Sequence, residues 1–290
     1  MGLTSLFLST RLGGFVTRRR LWPYTATVEG SARTRHARPP QYARPVPDLP
    51  LPAADLARPR IAVALPGTGS DAHFAARAFG PACAAMEITF RAVDPDPRRV
   101  IGSYRDALDE AARSGPVLIA GISLGAAVAV EWAAEHPESV FGVVAALPAW
   151  TGADTTGCPA ALSAAATAAA LRADGLEAVI DGMRASSPAW LAAALTRSWR
   201  SQWPHLPAAL AEAAVYGWPE AEVLTSITAP VSIVGAIDDP VHPIEVAKQW
   251  AALIPWAELH SITLGELGAD PAVLGARGIP PLLARAAETT

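Results

Sequence analysis

One serine in this sequence has neighbours that favour nucleophilic chemistry. Ser123 lies in Gly121-Ile122-Ser123-Leu124-Gly125, after an apolar run that predicts a strand and before an alanine-rich run that predicts a helix. A strand, Gly-x-Ser-x-Gly and a helix in this order are typical of a nucleophile elbow. The turn is tight, so both glycines must be small where strand and helix pass, and we expect Ser123 to be strained. Its hydroxyl could attack an acyl carbonyl if a base accepts the proton.

The elements around Ser123 alternate between strands and helices. Strands are predicted at 61–65, 87–93, 116–121, 140–147, 231–235 and 258–264, and helices at 72–86, 100–114, 124–134, 244–253 and 271–287. Alternation of this kind predicts an α/β fold with a mostly parallel sheet that is covered by helices. Ser123 would then lie at the carboxyl edge of the sheet, where open parallel sheets bind ligands.

An insertion interrupts this alternation. Residues 151–225 contain no predicted strand and favour helices at 159–173, 176–185, 188–200 and 206–216. We therefore predict a core of 59–150 and 226–290, with 151–225 as a helical lid over the sheet edge. Residues 1–58 are predicted to be an irregular N-terminal segment, in which 22–28 and 31–35 are candidates for a small hairpin. The first 47 residues hold eight arginines and one glutamate. Two interpretations of this segment are left open: a basic arm that binds an anionic surface, and a solvated tail.

Tryptophans of the lid and its entry are candidates for substrate contacts. Trp199 and Trp203 would share one helical face with Arg197 and Arg200 beside it, and Trp150 directly precedes the lid. One interpretation is an aromatic wall with a basic rim, suited to an apolar acyl group that carries a carboxylate or phosphate. The alternative is a lid helix packed through its tryptophans, with solvated arginines.

Composition excludes several classes of function. The net charge of −4 gives no general affinity for nucleic acid. Cys83 and Cys158 fit no metal motif and form no disulfide framework, so we expect free thiols in a cytoplasmic protein. Arg18 to Arg20 follow the apolar N-terminal residues, which is the wrong order for a secretory signal, and no stretch reaches about 18 strongly apolar residues. No metal, cofactor or membrane contact is predicted. The expected partner is a small molecule, and the oligomeric state is left open.

The elbow at Ser123, the loop Pro66-Gly-Thr68-Gly, the loop at 235–243 and the helical insertion together resemble the α/β-hydrolase superfamily, in its lid-bearing esterase, acyl-hydrolase and perhydrolase type. The resemblance covers roughly 60–290. It implies an α/β-hydrolase fold with the lid inserted after strand 6. It also implies that Ser123 is the nucleophile and that the backbone N–H groups of Thr68 and Leu124 form the oxyanion hole. An Asp-x-x-x-Pro pattern makes Asp239 the triad acid, with Asp238 as the alternative.

The base is where this sequence departs from the family pattern. The family places a histidine after the last strand, usually behind a glycine, but Ala269 occupies that slot here and no histidine follows His260. His242, in the loop of the proposed acid, is our candidate for a relocated base, and His73 and His260 are alternatives. The remaining groups considered are His36 in the N-terminal segment, His136 and His205 as structural residues, and Glu266 and Asp270 in the loop of the missing base.

Two functions follow from these residues. The first is a serine hydrolase that acts on a small apolar carboxylic ester or thioester, with Ser123, His242 and Asp239 as its triad. The second is a hydrolase-like protein that binds or senses a small molecule without turning it over. A nucleotide-binding domain built on Gly67-x-Gly69 is a third interpretation, but Ala72 replaces the last glycine of that motif and no Gly-Lys-Ser/Thr is present.

Overall fold

A computed structural model of the protein describes residues 59–287, which contain a six-stranded sheet with the order β2-β1-β3-β4-β5-β6. All neighbouring strands are parallel. The three central strands β3, β4 and β5 are buried at every residue, as expected of a sheet covered on both faces. The strands are β1 Ile61–Leu65, β2 Thr89–Ala92, β3 Val117–Ile122, β4 Val140–Ala146, β5 Val231–Ala236 and β6 Ala257–Ile262.

Helices cover the two faces of this sheet. Helices α2, α3 and α9 pack into one apolar cluster, and α1 and α11 pack into the other. The predicted α/β class, a mostly parallel sheet covered by helices, is confirmed. The core helices are α1 Ala72–Ala85, α2 Val100–Ala112, α3 Leu124–Glu135, α9 Ile244–Leu253, α10 Leu264–Ala269 and α11 Val273–Ala287, with a short 3-10 helix at Pro137–Ser139.

Residues between β4 and β5 form five helices without a strand. They are α4 Pro159–Asp174, α5 Leu176–Ser186, α6 Ala189–Gln202, α7 Leu206–Ala214 and α8 Ala221–Ser226. Helices α4 to α7 share a small apolar core of their own that includes Leu171, Ile180 and Met183. The insertion follows β4, the fourth strand of the described residues, and its place after strand 6 in the numbering of the resemblance stays a prediction. The hairpin predicted at 22–28 and 31–35 lies outside the described residues.

Polar contacts join this insertion to the core. The Glu212 carboxylate of α7 accepts hydrogen bonds from the N–H groups of Val100 (2.8 Å) and Ile101 (3.2 Å), and so caps the start of α2. The Tyr216 hydroxyl donates to Glu131 of α3. The inserted helices are therefore held by hydrogen bonds as well as by apolar packing. Within residues 59–287, no helix combines the length and the apolar character that crossing a membrane would require.

Candidate active site

Ser123 lies between β3 and α3 with a φ of 53°, a conformation that is strained for a residue with a side chain. The turn leaves no space around it. A Cβ atom on Gly121 would lie 2.2 Å from the carbonyl oxygen of Gly125, and one on Gly125 would lie 2.3 Å from that of Leu65. Both positions therefore require glycine. The serine is 6% exposed and faces a cavity at the carboxyl edge of the sheet.

Three side chains form a continuous chain of contacts. The Ser123 Oγ lies 3.0 Å from His242 Nε2, and His242 Nδ1 lies 2.7 Å from Asp239 Oδ2. An ionised carboxylate only accepts hydrogen bonds, so Nδ1–H donates to Asp239 and Nε2 is left to accept from the serine hydroxyl. This is the tautomer in which an imidazole can remove the serine proton.

The two neighbouring aspartates differ in orientation. The Asp239 carboxylate turns back into its own loop, where Oδ1 accepts the N–H groups of Val241 (2.8 Å) and His242 (3.3 Å). Burial alone would raise the pKa of Asp239, but His242 and these N–H groups outweigh it and hold the pKa below its ordinary value. The exposed Asp238 instead accepts the N–H of Leu264 (2.7 Å), at the start of α10. The structure therefore places Asp239, and not Asp238, beside the imidazole.

The other candidate bases lie elsewhere. His73 is exposed on α1, and His260 lies in β6 with Nε2 4.0 Å from a carboxylate oxygen of Glu258. The His136 ring stacks on Trp132 with a centroid distance of 4.5 Å. His205 lies directly before α7. Glu266 and Thr263 exchange hydrogen bonds that cap the start of α10, and Asp270 accepts the N–H of Ala272. His36 lies outside the described residues.

A cavity of about 190 Å³ opens beside Ser123, between the sheet edge and the inserted helices. Thr68 lines it, while Leu124, at the start of α3, is buried and does not line it. Asp239 is the one carboxylate among the described lining residues, and it faces His242. The remaining lining is largely apolar; its large side chains are Phe74, Ile122, Leu147, Trp190, Leu191, Leu195, Trp199, Leu210, Val241, Leu264 and Leu267.

Only one of the three tryptophans predicted to contact substrate lines this cavity, namely Trp199. Trp203 was expected on the same helical face, but α6 ends at Gln202 and Trp203 is 42% exposed beyond that end. Helical backbone angles are disfavoured for a residue that precedes a proline, and Trp203 directly precedes Pro204. Trp150 packs against the core, and its indole N–H donates to the carbonyl of Asp154 (2.9 Å). The structure places neither Trp150 nor Trp203 on the cavity wall, and their contact with a substrate stays a prediction.

The predicted basic rim is also absent from the cavity wall. Arg197 forms a two-fold hydrogen-bonded ion pair with Asp71 (2.8 and 3.0 Å), and Arg200 forms one with Glu177 (2.6 and 3.1 Å). Neither arginine lines the cavity. The sequence analysis did not identify Trp190 as a wall residue. A signal was present, because Trp190 and Ala194 are four residues apart, as are Leu191 and Leu195, and this spacing predicts an apolar face on α6.

Solved structures of similar shape identify the class of fold. MenH from S. aureus aligns with a TM-score of 0.60 at 17% identity, over 79% of this chain and 94% of that one. A carboxylesterase of Nitrososphaera gargenis aligns with a TM-score of 0.59 at 16% identity, over 81% and 93%. The enol-lactonase from Burkholderia xenovorans LB400 gives 0.54 at 16% identity, over 71% and 83%. The sequence matches no protein-family model and no curated protein. The chain has the α/β-hydrolase fold.

Proposed function

We propose that this protein is a serine hydrolase that cleaves a small, apolar carboxylic ester or thioester through an acyl-enzyme on Ser123. The observation that carries the proposal is the contact chain from Ser123 Oγ through His242 to Asp239, with distances of 3.0 and 2.7 Å. A buried, strained serine with an oriented imidazole at hydrogen-bond distance has the arrangement of an activated nucleophile.

In the first half-reaction, Ser123 Oγ attacks the acyl carbon while its proton passes to His242 Nε2. The imidazolium is stabilised by Asp239, and the new oxyanion accepts hydrogen bonds from the N–H groups of Thr68 and Leu124. Leu124 begins α3, so the helix dipole adds to the positive potential there. When the tetrahedral intermediate collapses, His242 gives the proton to the leaving alkoxide or thiolate, and the alcohol or thiol departs.

In the second half-reaction, His242 takes a proton from water, and the hydroxide oxygen attacks the acyl carbon of the ester on Ser123. The second tetrahedral intermediate uses the same two backbone donors. Its collapse breaks the bond to Ser123 Oγ, which takes the proton back from His242, and the carboxylic acid is released.

The cavity supports an uncharged, apolar acyl group as substrate. No lysine or arginine is among the described residues that line it, and Arg197 and Arg200 are held in ion pairs outside it. An anionic acyl group would lose its hydration in the cavity without gaining a lysine or arginine partner, which is costly. A volume of about 190 Å³ suits a small acyl chain. We therefore expect a preference for short neutral esters over their carboxylate-bearing analogues.

The competing function, a scaffold that binds without turnover, rested on Ala269 in the expected base position. His242 beside Ser123 supports the enzyme instead.

The proposal is tested by fluorophosphonate labelling and by hydrolysis of p-nitrophenyl butyrate. We expect Ser123→Ala to abolish both, and His242→Ala to lower the rate by about 10⁴-fold or more, since loss of one triad member removes most of the nucleophile's activation. His73→Ala is the matched control and should keep wild-type rates, because that imidazole is exposed on α1. Folded wild type that neither labels nor hydrolyses short esters would refute the hydrolase, and wild-type labelling of His242→Ala would refute the assigned base.

A further inference from the structure

One helix of the insertion, α6, holds the loop that carries Thr68. The Ser198 hydroxyl donates to the carbonyl oxygen of Gly69 (2.7 Å). The Gln202 side-chain amide donates to the carbonyl oxygen of Ser70 (2.8 Å) and to Ser198 Oγ (2.8 Å). Ser198 and Gln202 are only 1% and 6% exposed. Two buried polar side chains of the lid therefore bind two consecutive backbone carbonyls of the loop.

The backbone of the loop transmits this restraint to Thr68. The N–H of Ser70 donates to the carbonyl oxygen of Gly67 (3.0 Å), and Gly69 has a φ of +68°, as in a type II turn with Thr68 at its first central position. The Gly67 carbonyl and the Thr68 N–H belong to one planar peptide group and point in opposite directions. Fixing Ser70 therefore fixes the direction of the Thr68 N–H.

Both ends of the loop are anchored as well. The Tyr104 hydroxyl donates to the carbonyl of Pro66 (2.9 Å) at the start of the loop. At its end, Asp71 binds Arg197 of α6 and accepts the N–H of Phe74 (2.9 Å) in the first turn of α1. The central turn, between these anchors, is contacted from above by α6.

The choice of polar residues in α6 needs a reason beyond packing. A buried hydroxyl and a buried amide cost free energy unless they are hydrogen-bonded, and apolar side chains would fill the same space without that cost. The lid also touches Gly69 closely, since a Cβ atom there would lie 3.0 Å from Trp199 Nε1. Ser198 and Gln202 thus make specific contacts with the loop in addition to packing.

We propose that Ser198 and Gln202 are positioning residues of the oxyanion hole: they hold the turn at Gly67 to Ser70 so that the Thr68 N–H points at the developing oxyanion. Helix α6 is then part of the catalytic apparatus as well as a roof over the substrate. This inference rests on the proposed hydrolase function. It requires that the effect of these residues appear in the transition state and not in substrate binding.

The test compares Ser198→Ala, Gln202→Met and the double variant with wild type. Methionine has nearly the shape of glutamine but lacks the amide donor. Ser201→Ala is the control, because Ser201 is an exposed neighbour whose hydroxyl donates within α6, to the carbonyl of Ser198 (2.8 Å), and contacts no other group among the described residues by a hydrogen bond. The readouts are kcat and KM for p-nitrophenyl butyrate, the affinity for 1-butaneboronic acid and the Tm. The boronic acid forms a tetrahedral adduct with serine, and one of its oxygens would occupy the hole.

Removal of an oxyanion donor outright costs about 10²–10³ in kcat, so a donor that is only misaligned should cost about tenfold for each variant. We expect kcat and boronic acid affinity to fall together, KM to stay within about twofold, and Ser201→Ala to behave as wild type. Variants with wild-type kcat and boronic acid affinity would overturn this inference alone. So would a rise in KM or a loss of Tm with kcat unchanged, since that pattern indicates a structural role. Folded wild type without Ser123 reactivity would overturn the proposed function, and this inference with it.

Discussion

Gly125→Ala is a direct test of the close approach on which the elbow depends. An alanine Cβ at this position would lie 2.3 Å from the carbonyl oxygen of Leu65 and 2.8 Å from that of Pro66. These are backbone atoms at the end of β1 and the start of the Thr68 loop, so no side-chain rotation can relieve the contact. Helix α3 and β1 must separate by about 1 Å to restore an ordinary contact distance.

The size of the effect follows from two opposing contributions. Overpacking in a rigid core costs about 1–3 kcal/mol, and a clash with backbone belongs at the upper end of that range. Alanine gains up to about 1 kcal/mol over glycine from helix propensity. We therefore expect a net loss of about 2 kcal/mol in the free energy of unfolding and a fall in Tm of roughly 4–8 °C. Labelling of Ser123 should slow as well, since the same shift displaces the Thr68 loop.

The assay is urea unfolding followed by circular dichroism, with the fluorophosphonate labelling rate measured on the same samples. Gly182→Ala is the control. Gly182 lies in α5, and an alanine Cβ there would meet no atom within 4 Å outside its own helical turns. This substitution should therefore stabilise the protein by about 0.5–1 kcal/mol. The close approach at Gly125 would not constrain the elbow if Gly125→Ala unfolded within about 0.5 kcal/mol of wild type, roughly the usual scatter of surface substitutions, and labelled at the wild-type rate.

Three further predictions concern the triad, the lid and the cavity wall. Asp239→Asn should lower kcat about 10⁴-fold through loss of the productive tautomer. Because folding lowers the pKa of Asp239, its carboxylate stabilises wild type above the unfolded pKa of about 4. Urea unfolding should therefore show that the variant loses less stability than wild type as pH falls below that value. Burial raises the pKa of Glu131 above its ordinary value of 4.5, and this outweighs the hydrogen bond from Tyr216, which lowers it. The protonated carboxyl therefore contributes stability that is lost as pH rises above 4.5 and through the raised pKa, so Glu131→Gln should lose less stability than wild type over that rise in the same assay. Trp190 lies between Phe74 and Gly268 and closes one side of the cavity. Trp190→Ala should therefore raise the ratio of kcat/KM for p-nitrophenyl octanoate to that for p-nitrophenyl butyrate about tenfold. An unchanged ratio would exclude this wall as the limit on acyl chain length.

Much of the fold could be predicted from local patterns because the central strands are fully buried. Apolar runs such as 231–235 contrast sharply with the helices beside them, and α9 begins and ends at the predicted residues. The end of the last strand was missed. The sequence pattern continued to Leu264, but Thr263 and Glu266 form a capping box that starts α10 there. A Thr-x-x-Glu signal was present in the sequence and favours this helix start.

The site was predictable in its residue types and less so in its partners. His242 and His73 both follow strands, so sequence alone left both open as bases. The deciding interaction is three-dimensional: Asp239 accepts the N–H groups of Val241 and His242, and this turn brings the imidazole onto the carboxylate. Trp203 shows the reverse error, since its spacing from Trp199 was helical but the helix ends before it.

The proposed acid and base lie on one loop, and this arrangement concerns the loop after β6 as well. The loop after β6 contains no histidine, and its helix α10 presents Leu264 and Leu267 to the cavity. The two loops remain joined, because Asp238 accepts the N–H of Leu264. Asp239 can therefore orient His242 while its neighbour anchors the same loop to the cavity wall. In the proposed enzyme, the adjacent aspartates divide two tasks: Asp239 orients the base, and Asp238 fixes the loop that carries it.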